Sequence, residues 1–223
     1  MQAMPQSVVD KSNTGARAEG VGRYAADVDL SAEPMASLVT TLAARRIVVD
    51  PTLAVFEGEY ATMPGDLSPA YAPFAGTLPP VVERDLRSGG LAVPRDLSRA
   101  QFRASFAKLQ ALVADLHAHA VRIVAGTDGS GLSLVRELEL YVDAGFTPAA
   151  ALGTATLDAA RVVGVEAATG SIAPGKTADL VLVDGDPSRR IGDLRHTRWV
   201  MMAGRLMDAD ALRATAGFTG RPR

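Results

Sequence analysis

Val121–Gly131 reads V-R-I-V-A-G-T-D-G-S-G, and its reading decides the fold. A β-branched run stops at Gly126-Thr127-Asp128, Gly129 and Gly131 follow, and an amphipathic pattern starts near Leu132. This is a strand that carries one carboxylate to its C-terminal tip and turns straight into a helix. In a (β/α) barrel the strand tips are where chemistry sits. Asp128 at such a tip can bind a hard or borderline cation and take a proton from water. It can equally cap the helix or close the turn through its side chain. The glycines also allow a phosphate-cradling loop at a helix N-terminus, although no Lys-Ser/Thr pair and no GxGxxG spacing follows.

Outward from this stretch the chain alternates helical and β-branched segments. Met35, Leu38, Val39 and Leu42 share a helical face behind Ser31, read as N-cap, and Ile47-Val48-Val49 ends at Asp50-Pro51 as a buried parallel strand. Asp50-Pro51-Thr52 is then placed to line the same mouth as Asp128. Pro and Gly crowd residues 54–96, a long connection of the kind that forms lids. A helix from Ser98 to about Leu116 carries Phe102, Phe106, Leu109, Leu112, Val113 and Leu116 on one side. A helix over Leu132–Ala144 closes at Gly145. Thr147 then caps a further helix with Pro148 at its first position, broken near Asp158 and ended by Gly164.

After Gly170 the pattern changes to short strands at Asp179–Asp184, Arg198–Ala203 and Leu206-Met207, a small β unit. The sequence divides into residues 1–30 as loop or disordered segment, 31–168 as an α/β unit, 169–210 as the β portion and 211–223 as a tail.

The 223 residues carry a net charge of −2, with 48% hydrophobic and 22% charged residues, an ordinary globular composition. This charge gives no electrostatic case for nucleic acid or an anionic membrane as partner. With no cysteine, disulfides and thiolate metal sites are excluded. No apolar run approaches the roughly 20 residues of a membrane span. Met1–Glu19 has no apolar signal-peptide core, so a cytoplasmic location is expected. His117 and His119 form an HxH pair, but residues two apart on a helix face different ways. They suit a helix C-terminus electrostatically and are read as such. Arg136, Glu137 and Glu139 read as a solvated helix face, His196 as surface or structural, and Trp199 as packing.

Four segments together resemble the C-terminal part of the metal-dependent amidohydrolase superfamily, in particular its imidazolonepropionase-like members. They are Asp50-Pro51-Thr52-Leu53, Ile123–Asp128, Arg136–Glu139 leading through Ala144–Pro148 to Arg161, and above all Gly170–Pro187. The resemblance implies the last strands, seven (Ile47–Val49) and eight (Val121–Ala125), of a (β/α)8 TIM barrel. To these it adds part of a small β-sandwich. It implies hydrolysis of a C–N bond in an amide or cyclic amide, a divalent metal (zinc) in the intact family, and metal binding and proton transfer by Asp128. The family's other ligands are an HxH at strand one, a carboxylated Lys or a Glu at strand four, and one His each at strands five and six. No histidine precedes His117. A barrel needs about 250 residues. The chain therefore reads as a truncated C-terminal portion, inactive alone and not retaining the metal, that associates with itself or with a missing N-terminal half. A non-catalytic remnant or assembly module of the same fold is the alternative, and a phosphate- or nucleotide-binding protein using the Gly126–Gly131 loop is a third.

Overall fold

The computed structural model describes residues 15–223. Helix α1 (Gly15–Tyr24) and a 3-10 turn (Ala25–Asp27) lead to α2 (Met35–Ala44), strand β1 (Val48–Val49) and α3 (Leu53–Ala61). A 3-10 turn at Ala72–Phe74 and α4 (Pro80–Leu86) precede the long α5 (Arg99–Ala118) and strand β2 (Arg122–Ile123). Then come α6 (Leu134–Asp143), α7 (Pro148–Thr154) and α8 (Leu157–Val163). Strand β3 (Leu180–Val183), a 3-10 segment (Ile191–His196), β4 (Thr197–Met202), β5 (Arg205–Asp208) and α9 (Ala209–Thr215) complete the order.

The α/β alternation emerges as expected. β1 and β2 pair in parallel, Val48 opposite Arg122 and Val49 opposite Ile123, and the Val124 N–H donates to the Val49 carbonyl at 3.0 Å. β1 is half-buried rather than buried, because among the described residues each strand of this sheet has one neighbour. Strands β3, β4 and β5 form the separate antiparallel sheet that the short β-branched runs announce, with Gly204 at a positive φ in the β4–β5 turn. No helix among the described residues is long and apolar enough to cross a membrane.

The core gathers on α5. Phe102 is fully buried and meets Tyr60 edge-on at 5.4 Å between ring centroids. Leu138, Leu140 and Tyr141 of α6 and Leu53 of α3 complete it. Burying a side chain of this size contributes about 1.5–3 kcal/mol. The helix starts follow their sequence signals. Ser98 and Gln101 cap α5 reciprocally, and the Thr147 hydroxyl accepts from the Ala150 N–H at 3.1 Å with Pro148 at the first helical position. α2 is different: Ser31 is not its cap, since the Ser31 hydroxyl donates to Asp29 at 2.7 Å and the helix begins after Pro34.

Three other sequence expectations are corrected. Of the segment 1–30 read as loop, residues 1–14 lie outside the described residues, but residues 15–24 are helical. Small residues make this possible. A β-carbon on Gly22 would sit 2.8 Å from the Phe102 ring, so glycine lets α1 lie flat on α5. The Ser105 hydroxyl donates to the Gly22 carbonyl at 2.7 Å, and the Tyr60 hydroxyl donates to that of Ala18 at 2.7 Å. The tail 211–223 begins inside α9 and then packs back. The Thr219 N–H reaches the Thr77 carbonyl at 2.9 Å, and Phe218 meets Phe74 at 6.1 Å.

The long connection over residues 54–96 is not a bare loop, because α3 and α4 occupy part of it. Its last stretch docks on the end of α3. The Leu91 N–H donates to the Glu59 carbonyl at 2.8 Å, and the Arg99 guanidinium donates to the carbonyls of Leu91 and Glu59 at 2.7 and 3.1 Å. A β-carbon on Gly90 would overlap the Glu59 carbonyl oxygen and stand 2.7 Å from that of Gly58. These are backbone atoms that cannot swing aside. Gly90→Ala is expected to cost about 1–3 kcal/mol, read as a lower urea midpoint at unchanged slope.

Candidate functional site

The C-terminal ends of β1 and β2 open on one rim, and the structure brings Asp50 and the Gly126–Asp128 turn together there. A β-carbon on Gly126 would lie 2.6 Å from the Asp50 carboxyl carbon, so glycine is the residue that lets the two loops approach. Asp128 is exposed, at φ +42. Among the described residues its carboxylate accepts no hydrogen bond. The capping task falls to Ser130, whose hydroxyl accepts from the Leu132 N–H at 3.2 Å. The turn is closed by the Thr127 hydroxyl, which donates to the Gly129 carbonyl at 3.4 Å. Helix α6 then starts at Leu134, after a 3-10 turn at Gly131–Ser133.

Glu59 on α3 lies within electrostatic range of Asp128. Burial pushes its carboxyl above the ordinary range, Arg17 opposes this and the charge of Asp128 reinforces it. Among the described residues no three His, Cys, Asp or Glu side chains converge to hold a metal ion. Zinc takes three or four protein donors. One exposed carboxylate does not fit that requirement.

His117 and His119 do not act as a pair. The His117 ring stacks on Phe146 at 3.6 Å between centroids, walling a cavity of about 540 Å3 beside Val121–Val124. The His119 Nδ1 lies 2.9 Å from the Asp115 carbonyl oxygen, at the end of α5. His196 supplies its carbonyl to the Asp184 N–H at 3.0 Å in the β unit, a backbone role.

The polar residues of α6 are where reading the sequence fails. Arg136, Glu137 and Glu139 are not a solvated face; the first two tie α6 to α3 and the third ties it to the 3-10 segment before β4. Arg136 forks onto Glu57 of α3, Nε to Oε2 at 2.8 Å and Nη2 to Oε1 at 2.7 Å. Glu139 is held by Arg195 of the 3-10 segment before β4, with Nη2 to Oε2 at 2.9 Å. Burial pushes Glu139 up, but the Arg195 and Arg136 guanidinium groups outweigh it and hold the carboxyl below its ordinary range.

Glu137 is fully buried and caps α3 from outside, accepting from the Leu53 and Ala54 N–H groups at 2.8 and 2.6 Å. Those donors are orphans at any helix start. No side chain of Thr52 serves them, since Thr52 sits at φ +48 without a cap bond. Glu137 thereby fixes α3, and with it Glu59, against the helix that follows the Asp128 loop. Glu137→Ala leaves two buried donors unpaired and opens a void, an expected loss of about 2–4 kcal/mol. Glu137→Gln keeps one acceptor and should lose less. Thermal and urea unfolding of the two variants check this.

Comparison with known proteins places these features in a wider set. Residues 82–207 match a family model described as the amidohydrolase family. A 5-methylthioadenosine/S-adenosylhomocysteine deaminase of Symbiobacterium thermophilum is 35% identical over 88 residues, covering 33% of this chain and 20% of that protein. The crystal structure of a putative prolidase from Bifidobacterium longum superposes with a TM-score of 0.51 at 27% identity, over 76% of this chain and 39% of that one. A Xaa-Pro dipeptidase crystallised with methionine in its active site gives 0.57 at 20% identity, over 86% and 43%. The α/β fold matches these structures, and the chain spans less than half the length of each relative.

Proposed function

Because the chain belongs to the amidohydrolase family, we propose that it supplies Asp128 to a hydrolase that cleaves C–N bonds of amides or cyclic amides. The observation that carries this reading is the Asp128 carboxylate: it stands beyond the C-terminal end of β2, exposed, with the local capping done by another residue. In this role Asp128 accepts a proton from the attacking water and returns it to the leaving nitrogen as the C–N bond breaks. The imidazolonepropionase-like assignment and the cyclic-amide substrate rest on the resemblance of the Gly170–Pro187 segment.

In this reading β1 and β2 are strands seven and eight of a TIM barrel, and β3–β5 belong to a β-sandwich. The divalent metal that the resemblance implies is not accommodated by the described residues. Remaining donors come from other polypeptide, either a complementary N-terminal half or a second copy. The sheet favours such an arrangement. Val181 and Met202 on one face of the sheet, and Leu182 and Leu206 on the other, are each more than half exposed, and apolar sheet surfaces with open edges are stabilised by being covered.

The second reading, a non-catalytic assembly module, is supported by the same exposed sheet and by the poor fit of the donors to a metal. The readings separate on amide hydrolysis measured with zinc, with and without Asp128→Asn. The hydrolase reading requires turnover that depends on Asp128 once the missing donors are supplied, and the module reading requires none.

A further inference from the structure

Beside the rim, between α3 and the segment that follows it, lies a cavity of about 510 Å3. This falls within the usual range for small-molecule sites. Polar groups in its wall lack partners among the described residues, the buried hydroxyl of Thr62 among them. Ser68 is 6% exposed, lines the cavity, and makes no hydrogen bond through its hydroxyl. Glu59, half-buried in the same wall, accepts no hydrogen bond and forms no ion pair. A buried carboxylate without a partner is costly in its charged form, and a hydroxyl left unpaired loses its hydrogen-bond energy.

The charge of the lining has one sign. Glu59 and Asp85 contribute carboxyl groups, and no Lys, Arg or His lines the cavity. Arg17 acts on Glu59 electrostatically, but Asp128 acts with the opposite sign. The rest of the wall is largely apolar, Val55 and Leu86 among it. Gly58 keeps the space open: a β-carbon there would lie 3.6 Å from the Ser68 β-carbon, and larger groups would fill the cavity.

We propose that this cavity binds a primary ammonium group carried on a short apolar chain, the cation seated between the Glu59 carboxylate and the Ser68 hydroxyl. Glu59 supplies the charge-assisted acceptor, Ser68 a second acceptor, and the apolar wall takes the chain. This assignment stands apart from the hydrolytic reading, because it concerns binding alone and requires neither metal nor turnover.

The test is titration of the purified chain with n-pentylammonium, followed by calorimetry and by amide chemical shifts. Pentanoate and pentanol serve as controls of equal length. Pentylammonium should bind with a dissociation constant of about 1 mM or tighter, and pentanoate not at all. Glu59→Gln should weaken binding at least about tenfold, the scale of one lost charge-assisted hydrogen bond. Gly58→Val should block it sterically. Glu59→Gln removes a buried charge and is expected to fold at least as stably as the parent, which its thermal midpoint verifies. Pentanoate binding as well as pentylammonium, affinity unchanged in Glu59→Gln, or no pentylammonium binding would each overturn the assignment.

Discussion

Arg136→Ala should lower the stability of the fold by about 3–5 kcal/mol, the cost of stripping the partner from a buried charge. The partner is Glu57, only 6% exposed, whose two oxygens both accept from the Arg136 fork. The loss extends to Glu139, which Arg136 Nη1 also approaches at 3.3 Å, leaving Arg195 as its remaining partner. Arg136→Lys retains a charge but not the planar fork, and an intermediate loss is expected. The double variant Glu57→Leu with Arg136→Met is the discriminating control. An apolar pair in place of a buried ion pair is often close to neutral. The double variant should therefore lose much less than Arg136→Ala alone. Urea unfolding of the three variants against the parent checks this. Equal losses in the double and single variants would mean that the pair is not a closed unit.

The sequence hides such ties for a physical reason. Periodicity registers which helical face is apolar, but a charged residue looks the same whether water or a distant guanidinium meets it. Glu57 lies 79 residues from Arg136, Leu53 lies 84 from Glu137, and Arg195 lies 56 from Glu139. One local signal was available. Leu134 and Tyr141 stand three residues before and four after Glu137, so the apolar stripe of this amphipathic helix carries a charge into the core. Charges on such a helix need partners. Helix α1 was hidden differently: its glycines carry no apolar period, and the reason for Gly22, the Phe102 ring lying against it, comes from 80 residues away.

What local chemistry dictates was legible. Ser98 and Thr147 mark helix starts because their hydroxyls accept orphan N–H groups. The β-branched runs mark strands. The position of Asp128 beyond a strand tip was legible too. Its freedom from capping was not, because Ser130 two residues on offers the same chemistry and only geometry decides between them.

Asp128 is proposed to be necessary for hydrolysis but insufficient by itself. The most direct measurement is the initial rate of hydrolysis across a panel of amides by the zinc-supplied chain. It is made before and after adding polypeptide that carries the missing donors, with and without Asp128→Asn. No turnover above buffer is expected for the chain alone, and metal-dependent turnover is expected in the mixture. Asp128→Asn should lower that turnover by a factor of about 10^3, the middle of the range for losing a general base. Turnover by the chain alone that Asp128→Asn abolishes, or turnover in the mixture that Asp128→Asn leaves unchanged, would contradict this proposal.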